Sequence, residues 1–95
     1  MEVTFTILYH SKVIEEDIPL LSSTWKNRIK KAVEEKLTIS PERYGKPLRQ
    51  SLRGYRKLRV GDYRVIFRID KSTVYILAIM HRSTVYKDSS KRAAQ

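Results

Sequence analysis

Between Tyr55 and Ile69 apolar and polar residues alternate with a period of two across one tight turn, and a second turn leads into an apolar run. That pattern predicts an antiparallel meander, because successive side chains of a strand point to opposite faces. Arg56, Leu58 and Val60 alternate with Tyr55, Lys57 and Arg59, and Gly61-Asp62 forms a two-residue turn. Tyr63, Val65, Phe67 and Ile69 then alternate with Arg64, Ile66 and Arg68. Asp70-Lys71-Ser72 turns the chain into Thr73–His81, which is apolar on both faces and therefore expected inside the sheet.

The preceding half supplies the cover for that sheet. Val3, Phe5, Ile7 and Tyr9 read as a first strand, and Ser11 to about Asp17 as a short helical stretch closed by Pro19. Ser22, Ser23 and Thr24 are N-cap candidates for a longer helix running to about Leu37. Its apolar stripe is Trp25, Ile29, Ala32, Val33 and Leu37, with Trp25 a core or partner-facing anchor. Ile39 to Pro47 reads as a loop, and the tail from Ser83 as polar and partly helical. The order β-α-α-β-β-β predicts an α+β fold: a mostly antiparallel four-stranded sheet with an N-terminal helix pair packed on one face. With 95 residues, a single domain over 1–95 is expected. The N-terminus lacks the basic start and apolar core of a signal peptide. The longest apolar run, Val74 to Met80, is seven residues, far short of a membrane span. A soluble cytoplasmic protein without membrane contact is the expectation.

Charge narrows the class of partner. The formal net charge is +10, and all of it lies in residues 46–95, where thirteen Lys/Arg face three acids; residues 1–45 hold seven of each sign. A surplus confined to one half points to an anionic partner, nucleic acid first, with a solvated basic face or an acidic protein as alternatives. Strand alternation puts Lys57 and Arg59 on one face, and Arg64 and Arg68 on one face of the next strand. A hairpin is expected to bring these four cations close together.

Several chemistries are excluded. There is no cysteine, and His10 and His81 are the only histidines, which argues against the usual zinc sites. Gly45, Gly54 and Gly61 are isolated, so no glycine-rich phosphate loop is present. Asp62 and Asp70 are explained as turn residues. What remains is metal-independent chemistry on a phosphodiester; RNA carries its own nucleophile in the 2′-hydroxyl and needs only positioning, proton transfer and charge stabilisation. His81, of a residue type that titrates near neutrality, is a candidate for proton transfer, with Tyr86 five residues on.

Three segments carry a family resemblance: Gly45-Lys46-Pro47-Leu48, the block Leu52 to Phe67 around Gly61-Asp62-Tyr63-Arg64, and His81-Arg82-Ser83-Thr84-Val85-Tyr86. Together they resemble the RelE/ParE toxin superfamily, most closely its RelE-type branch, over essentially the whole chain. The resemblance implies a toxin of a type II toxin–antitoxin system. The activity it implies is a ribosome-dependent, metal-independent mRNA endonuclease that cuts in the A site by 2′-hydroxyl attack, leaving a 2′,3′-cyclic phosphate. By position, Arg64 matches the arginine that contacts the scissile phosphate. Lys57 and Arg59 match the basic strand that holds RNA, Tyr86 the C-terminal tyrosine, and His81 a histidine with a proton-transfer role. Lys46, Arg56, Arg68 and Arg82 are further implied RNA contacts. Tyr55 stands where some relatives have a second lysine, and Leu48-Arg49 where others have a glutamate base, which leaves His81 or Lys57 for proton transfer. The implied partners are an acidic RelB-like antitoxin, the ribosome with its 16S rRNA, and mRNA, with operator DNA a target of the antitoxin complex. No cofactor or metal is implied. The alternatives are a ParE-like inhibitor of DNA gyrase, and an attenuated toxin that only binds antitoxin and RNA.

Overall fold

A computed structural model describes residues 4–94. Five strands form one sheet in the order β1-β5-β4-β3-β2. They are β1 (Thr6–Tyr9), β2 (Lys46–Pro47), β3 (Arg56–Val60), β4 (Tyr63–Asp70) and β5 (Thr73–His81). The meander β3-β4-β5 is antiparallel, as the alternation predicts, and β1 lies parallel to β5. Gly61, with φ +59°, and Asp62 join β3 to β4 with the φ pattern of a type II′ turn, whose twist suits a hairpin. Val3, expected in the first strand, lies outside the described residues.

One face of the sheet, here face A, is covered by the N-terminal helical segment. A π-helical turn (Val13–Asp17) runs into a 3-10 turn (Ile18–Leu20) containing Pro19. The longer helix α1 (Ser23–Ala32) continues as a π-helical stretch to Leu37 (Val33–Leu37), and the Ser22 hydroxyl caps it by accepting the Trp25 N–H. Val13, Leu21, Ile29, Val33 and Leu37 pack against Leu58, Val60, Val65, Phe67, Val74, Ile76 and Ile79 of the sheet.

Two expectations need correction. The sheet has five strands, not four: Lys46 and Pro47 pair with Lys57 and Arg56. A two-residue strand ending in proline shows no alternation and so reads as loop. Helices also cover both faces. The tail folds as α3 (Val85–Ala93), and its Val85 joins Leu52, Ile66, Leu77 and Ala78 in a second core on face B.

The β4–β5 register shifts by one residue at Ile66/Phe67: Ile66 faces Ala78, but Phe67 faces Ile76, leaving Leu77 as an extra residue on β5. This bulge reverses the parity of the strand. Tyr75 lies opposite Arg68 on face B, whereas Ile79 and His81 lie opposite Val65 and Tyr63 on face A.

At the bulge β5 has outrun β1, whose pairing stops at Ile76. The exposed backbone groups are met by side chains instead. Asp17 Oδ2 accepts the Ile79 N–H at 2.9 Å, and Arg92 Nη1 donates to the Leu77 carbonyl at 3.0 Å. The two side chains bind each other bidentately at 2.7 and 3.1 Å and are only 5% and 10% exposed. Breaking a buried pair on one side leaves a charge without its partner, at about 3–5 kcal/mol. Arg92→Met is therefore expected to lower the urea midpoint drastically or prevent folding. The Asp17→Leu/Arg92→Met double variant is expected to recover part of that loss, though it still leaves the Ile79 N–H and Leu77 carbonyl unsatisfied.

Burial, and secondarily the Glu34 carboxylate, push the Tyr9 phenol above its ordinary 10.0. The folded state thus holds this proton more tightly than the unfolded chain, so the contribution is complete below pH 10 and declines as pH climbs toward the raised folded value. Tyr9→Phe is expected to flatten the alkaline part of a stability–pH curve measured by urea denaturation, with little change at pH 7.

Candidate nucleic-acid interface

Register places the basic side chains in pairs. On face B, Arg59 lies directly opposite Arg64 across β3–β4, and Lys46 directly opposite Lys57 across β2–β3. These four cations and Tyr44 line one cleft of about 210 Å³ that contains no acidic residue. None of the four forms an ion pair among the described residues. Like charges directly opposite on a sheet destabilise it, so the arrangement works against stability.

Two glycines bring this cleft together. A Cβ at Gly45 would stand 2.3 Å from the Phe67 ring, so only glycine lets the chain enter β2 this close to the core. A Cβ at Gly61 would stand 2.4 Å from the Trp25 indole, which lies over the β3–β4 turn. Trp25 in turn packs against Tyr63, 4.9 Å between ring centroids, and carries Arg28 over its ring at 4.4 Å. Trp25 is thus an anchor of the turn, in keeping with its place on the apolar stripe.

The first turn of α3 completes the site. Lys57 Nζ donates to the Tyr86 hydroxyl at 3.3 Å and stands 5.5 Å from the centre of its ring, which is 38% exposed. Arg64 folds back over the turn, donating through Nη1 to the Gly61 and Tyr63 carbonyls, each at 2.9 Å. That contact fixes the guanidinium and leaves the rest of its fork for an anion.

The other expected site residues lie elsewhere. The hairpin gathers Lys57, Arg59 and Arg64 but not Arg68. Arg68 sits four residues along β4, beyond the α3-covered centre of face B, with its guanidinium 4.2 Å over Tyr75. Arg56 packs on face A opposite Phe67, and its Nη1 donates to the Glu42 and Gly45 carbonyls, tying down the approach to β2. Arg82 is exposed, 3.8 Å from Asp62, and its backbone N–H donates to the Asp62 carbonyl, bracing the β3–β4 turn.

His81 does not line the cleft. The β5 bulge turns it to face A, edge-on to Tyr63 at 5.7 Å. Its Nδ1 accepts the Ser83 N–H at 3.2 Å and lies 2.8 Å from the Ser83 hydroxyl, at the entry to α3. In the neutral ring this assigns the proton to Nε2. The cavity it borders also contains Glu16, Asp17 and Asp88 against the single cation Arg92, a net acidic lining that disfavours phosphate.

Tyr44 is the cleft residue that sequence reading missed. It ends a helical turn, α2 (Pro41–Tyr44), and carries Lys36 5.5 Å from its ring. Pro41 at the first helical position, just before Gly45-Lys46-Pro47, is the signal that could have placed it.

The sheet thus carries a cationic, tyrosine-flanked cleft on the face that its C-terminal helix covers. A family model described as the ParE toxin of the type II toxin–antitoxin system, parDE, matches residues 9–86. The chain belongs to this family, within the RelE/ParE superfamily. Over 53 residues it is 45% identical to toxin RelG and 46% identical to toxin RelE of Mycobacterium tuberculosis. These matches take in 54% of the chain, and 61% and 55% of the two relatives. A chain of the toxin–antitoxin complex RelBE2 from the same organism superposes with TM-score 0.78 at 32% identity, covering 85% of this chain and 94% of that one. A free-state mutant of toxin RelE from Escherichia coli shares the fold alone, with TM-score 0.64 at 19% identity over 94% and 97% of the two chains.

If the facing cations repel one another, relieving one pair should stabilise the fold. Arg59→Gln is expected to gain roughly 0.2–1 kcal/mol at low ionic strength, and the gain should shrink at 1 M salt, where charges are screened within about 3 Å. Thermal denaturation at both salt concentrations reads this directly.

Proposed function

We propose that the protein is the toxin of a type II toxin–antitoxin pair and acts as a ribosome-dependent mRNA endonuclease. The observation that carries this reading is the pairing of Arg59 with Arg64 and Lys46 with Lys57 in a cleft without a counter-charge, beside a Lys57–Tyr86 hydrogen bond. A cluster that costs stability when empty becomes favourable when a phosphodiester enters.

The reaction uses the 2′-hydroxyl of the RNA itself. Its oxygen attacks the adjacent phosphorus, the bond to the 5′-oxygen breaks, and a 2′,3′-cyclic phosphate and a 5′-hydroxyl result. Arg64, Arg59 and Lys46 stabilise the charge that accumulates on the phosphorane oxygens. Tyr86 and Lys57, hydrogen-bonded at the edge of the cleft, are the pair able to relay a proton, from the attacking 2′-hydroxyl and to the departing 5′-oxygen. Tyr44 and the Tyr86 ring offer faces for base stacking. His81, on the other side of the sheet, serves as a positioning residue that holds the turn into α3 and so the place of Tyr86. Attack geometry on translated mRNA is supplied by the ribosome, which accounts for so small a cleft.

An acidic antitoxin is the proposed antagonist, neutralising the cleft by competing with phosphate; the similar RelBE2 structure is by its own description a toxin–antitoxin complex. The description of the matching family as ParE gives a second reading, inhibition of DNA gyrase, its own place in the test.

Purified protein in cell-free translation is expected to cut mRNA within codons, as read by primer extension, and to leave naked mRNA intact. Lys57→Met and Arg64→Ala should each lower cutting by about 10²–10⁴-fold with the fold retained. His81→Ala should cost less than either. Intact mRNA together with blocked gyrase supercoiling would overturn the endonuclease reading in favour of the gyrase one.

A further inference from the structure

Face B carries a second concave site, separated from the cationic cleft by the α3-covered centre of the sheet. Arg64 and Arg68 are four residues apart on β4, roughly 13 Å at the rise of a strand. At the Arg68 end, a cavity of about 380 Å³ is lined by Leu8, Tyr9, His10, Tyr55, Arg68 and Tyr75, together with Ile76 and Leu77 of β5. No acidic side chain lines it.

Three properties of this cavity are chemical, not merely geometric. First, Arg68 rests 4.2 Å above the Tyr75 ring and forms no ion pair among the described residues, including with Asp70 two residues on. A guanidinium on an aromatic face is held flat by the ring quadrupole and keeps its N–H edge free for an anion. Second, Tyr55 and Tyr75, both half-buried, line it from face B, whereas Tyr9, opposite Ile76, borders it from the face A side of β1. Third, His10 has a fixed tautomer. Its Nδ1 accepts the Lys12 N–H at 3.0 Å, so in the neutral ring Nε2 carries the proton and is a donor.

A cation without a counter-charge laid on an aromatic ring, an N–H donor and a second tyrosine in one cavity match one ligand chemistry: a nucleobase with its attached phosphate. An acidic peptide would use the cation and the donor but would leave the Tyr55 and Tyr75 rings without partners. We propose that the Arg68–Tyr75 cavity is a second single-stranded RNA subsite, in which a base stacks on the tyrosine–guanidinium layer and its phosphate is bound by Arg68 and His10 Nε2. The proposal rests on the RNA reading of the cationic cleft, and extends it. Arg68 does not join the cleft; it holds the same strand a few nucleotides away, beyond α3. The site fixes the register of a longer RNA relative to Lys57 and Tyr86, and base-stacking strength would then set a composition preference at that distance from the cut.

The test uses the full chain and 2′-O-methylated RNA, which has no free 2′-hydroxyl and cannot be cleaved by this chemistry. Binding of a labelled octanucleotide and of a dinucleotide is measured by fluorescence anisotropy. Backbone amide NMR maps where uridine and adenosine 5′-monophosphate bind. Arg68→Gln and Tyr75→Leu are each expected to weaken octanucleotide binding by about 5- to 20-fold, the loss of one stacked base. Tyr75→Phe, which keeps the ring, should bind like the wild type and guards against a packing defect in Tyr75→Leu. The mononucleotides should shift the amides of His10, Tyr55, Arg68 and Tyr75. Lys57→Met should weaken the octanucleotide independently, so that its effect multiplies with that of Arg68→Gln. Unchanged binding in Arg68→Gln and Tyr75→Leu, with loss in Lys57→Met, would overturn the subsite and leave the cleft reading intact. No effect from any of the three would overturn both. Shifts at the cavity with a poly-glutamate peptide but with no nucleotide would overturn the subsite in favour of a protein partner.

Discussion

The Asp17–Arg92 pair does the work of a missing strand. β1 covers the outer edge of β5 only as far as Ile76, and the bulge at Leu77 then turns that edge so that a regular parallel ladder cannot continue. A carboxylate accepting the Ile79 N–H and a guanidinium donating to the Leu77 carbonyl satisfy the two backbone groups left over. Because Asp17 comes from the N-terminal helical segment on face A and Arg92 from the last turn of α3 on face B, their bidentate contact also joins the two layers across the sheet edge. Desolvating two charges is expensive, and an apolar replacement of the pair would be no less stable on charge grounds alone. What an apolar pair could not do is meet the backbone. The ion pair is retained by the geometry of β5.

The position of α3 depends on this contact as well as on its own packing. Val85 is fully buried at its start, but Ser89 is also fully buried, and its hydroxyl has no partner among the described residues. Such a group weakens the helix–sheet interface at its centre. The helix is held by Val85 and His81 at its start, by the Ser90–Ser51 hydroxyl contact at 2.7 Å further along, and by Arg92 at its end. Tyr86 sits at the start. The distance from its hydroxyl to Lys57 Nζ is thus set by contacts made on β5 and in the N-terminal segment, well outside the cleft.

Much of this was legible in the residues, because period-two alternation and turn chemistry are local. The β3–β4–β5 meander, the Gly61-Asp62 turn, the Ser22–Thr24 helix start and the apolar stripe of the long helix all follow from spacing, and the structure reproduces them. The residues that went astray did so for one physical reason each. Lys46 and Pro47 are too few to show a period. Ser83 onward is legible as polar and partly helical and does form α3; only the face it covers goes unread, because it buries just Val85 and Ser89. Arg68 shares a strand face with Arg64, but same-face residues four apart are separated by Ile66 and whatever covers it, here Val85. Tyr44 depends on a one-turn helix that composition alone does not announce.

His81 is the instructive case. Simple alternation from Tyr75 would place residues 77, 79 and 81 on face B, the face of Arg64 and of the cationic cleft. One extra residue reverses that, sending Ile79 into the face A core and His81 against Tyr63. The segment Ile76-Leu77-Ala78-Ile79-Met80 is apolar at every position, so no polar residue marks which face is which, and a slip of one leaves no trace in the pattern. The same slip gives β5 its two roles. Its first half presents Tyr75 to face B, and its second half presents backbone, not side chains, to the ion pair that anchors α3. A strand buried on both faces can change parity without exposing a polar group, and this one does so between the two ends of the basic face.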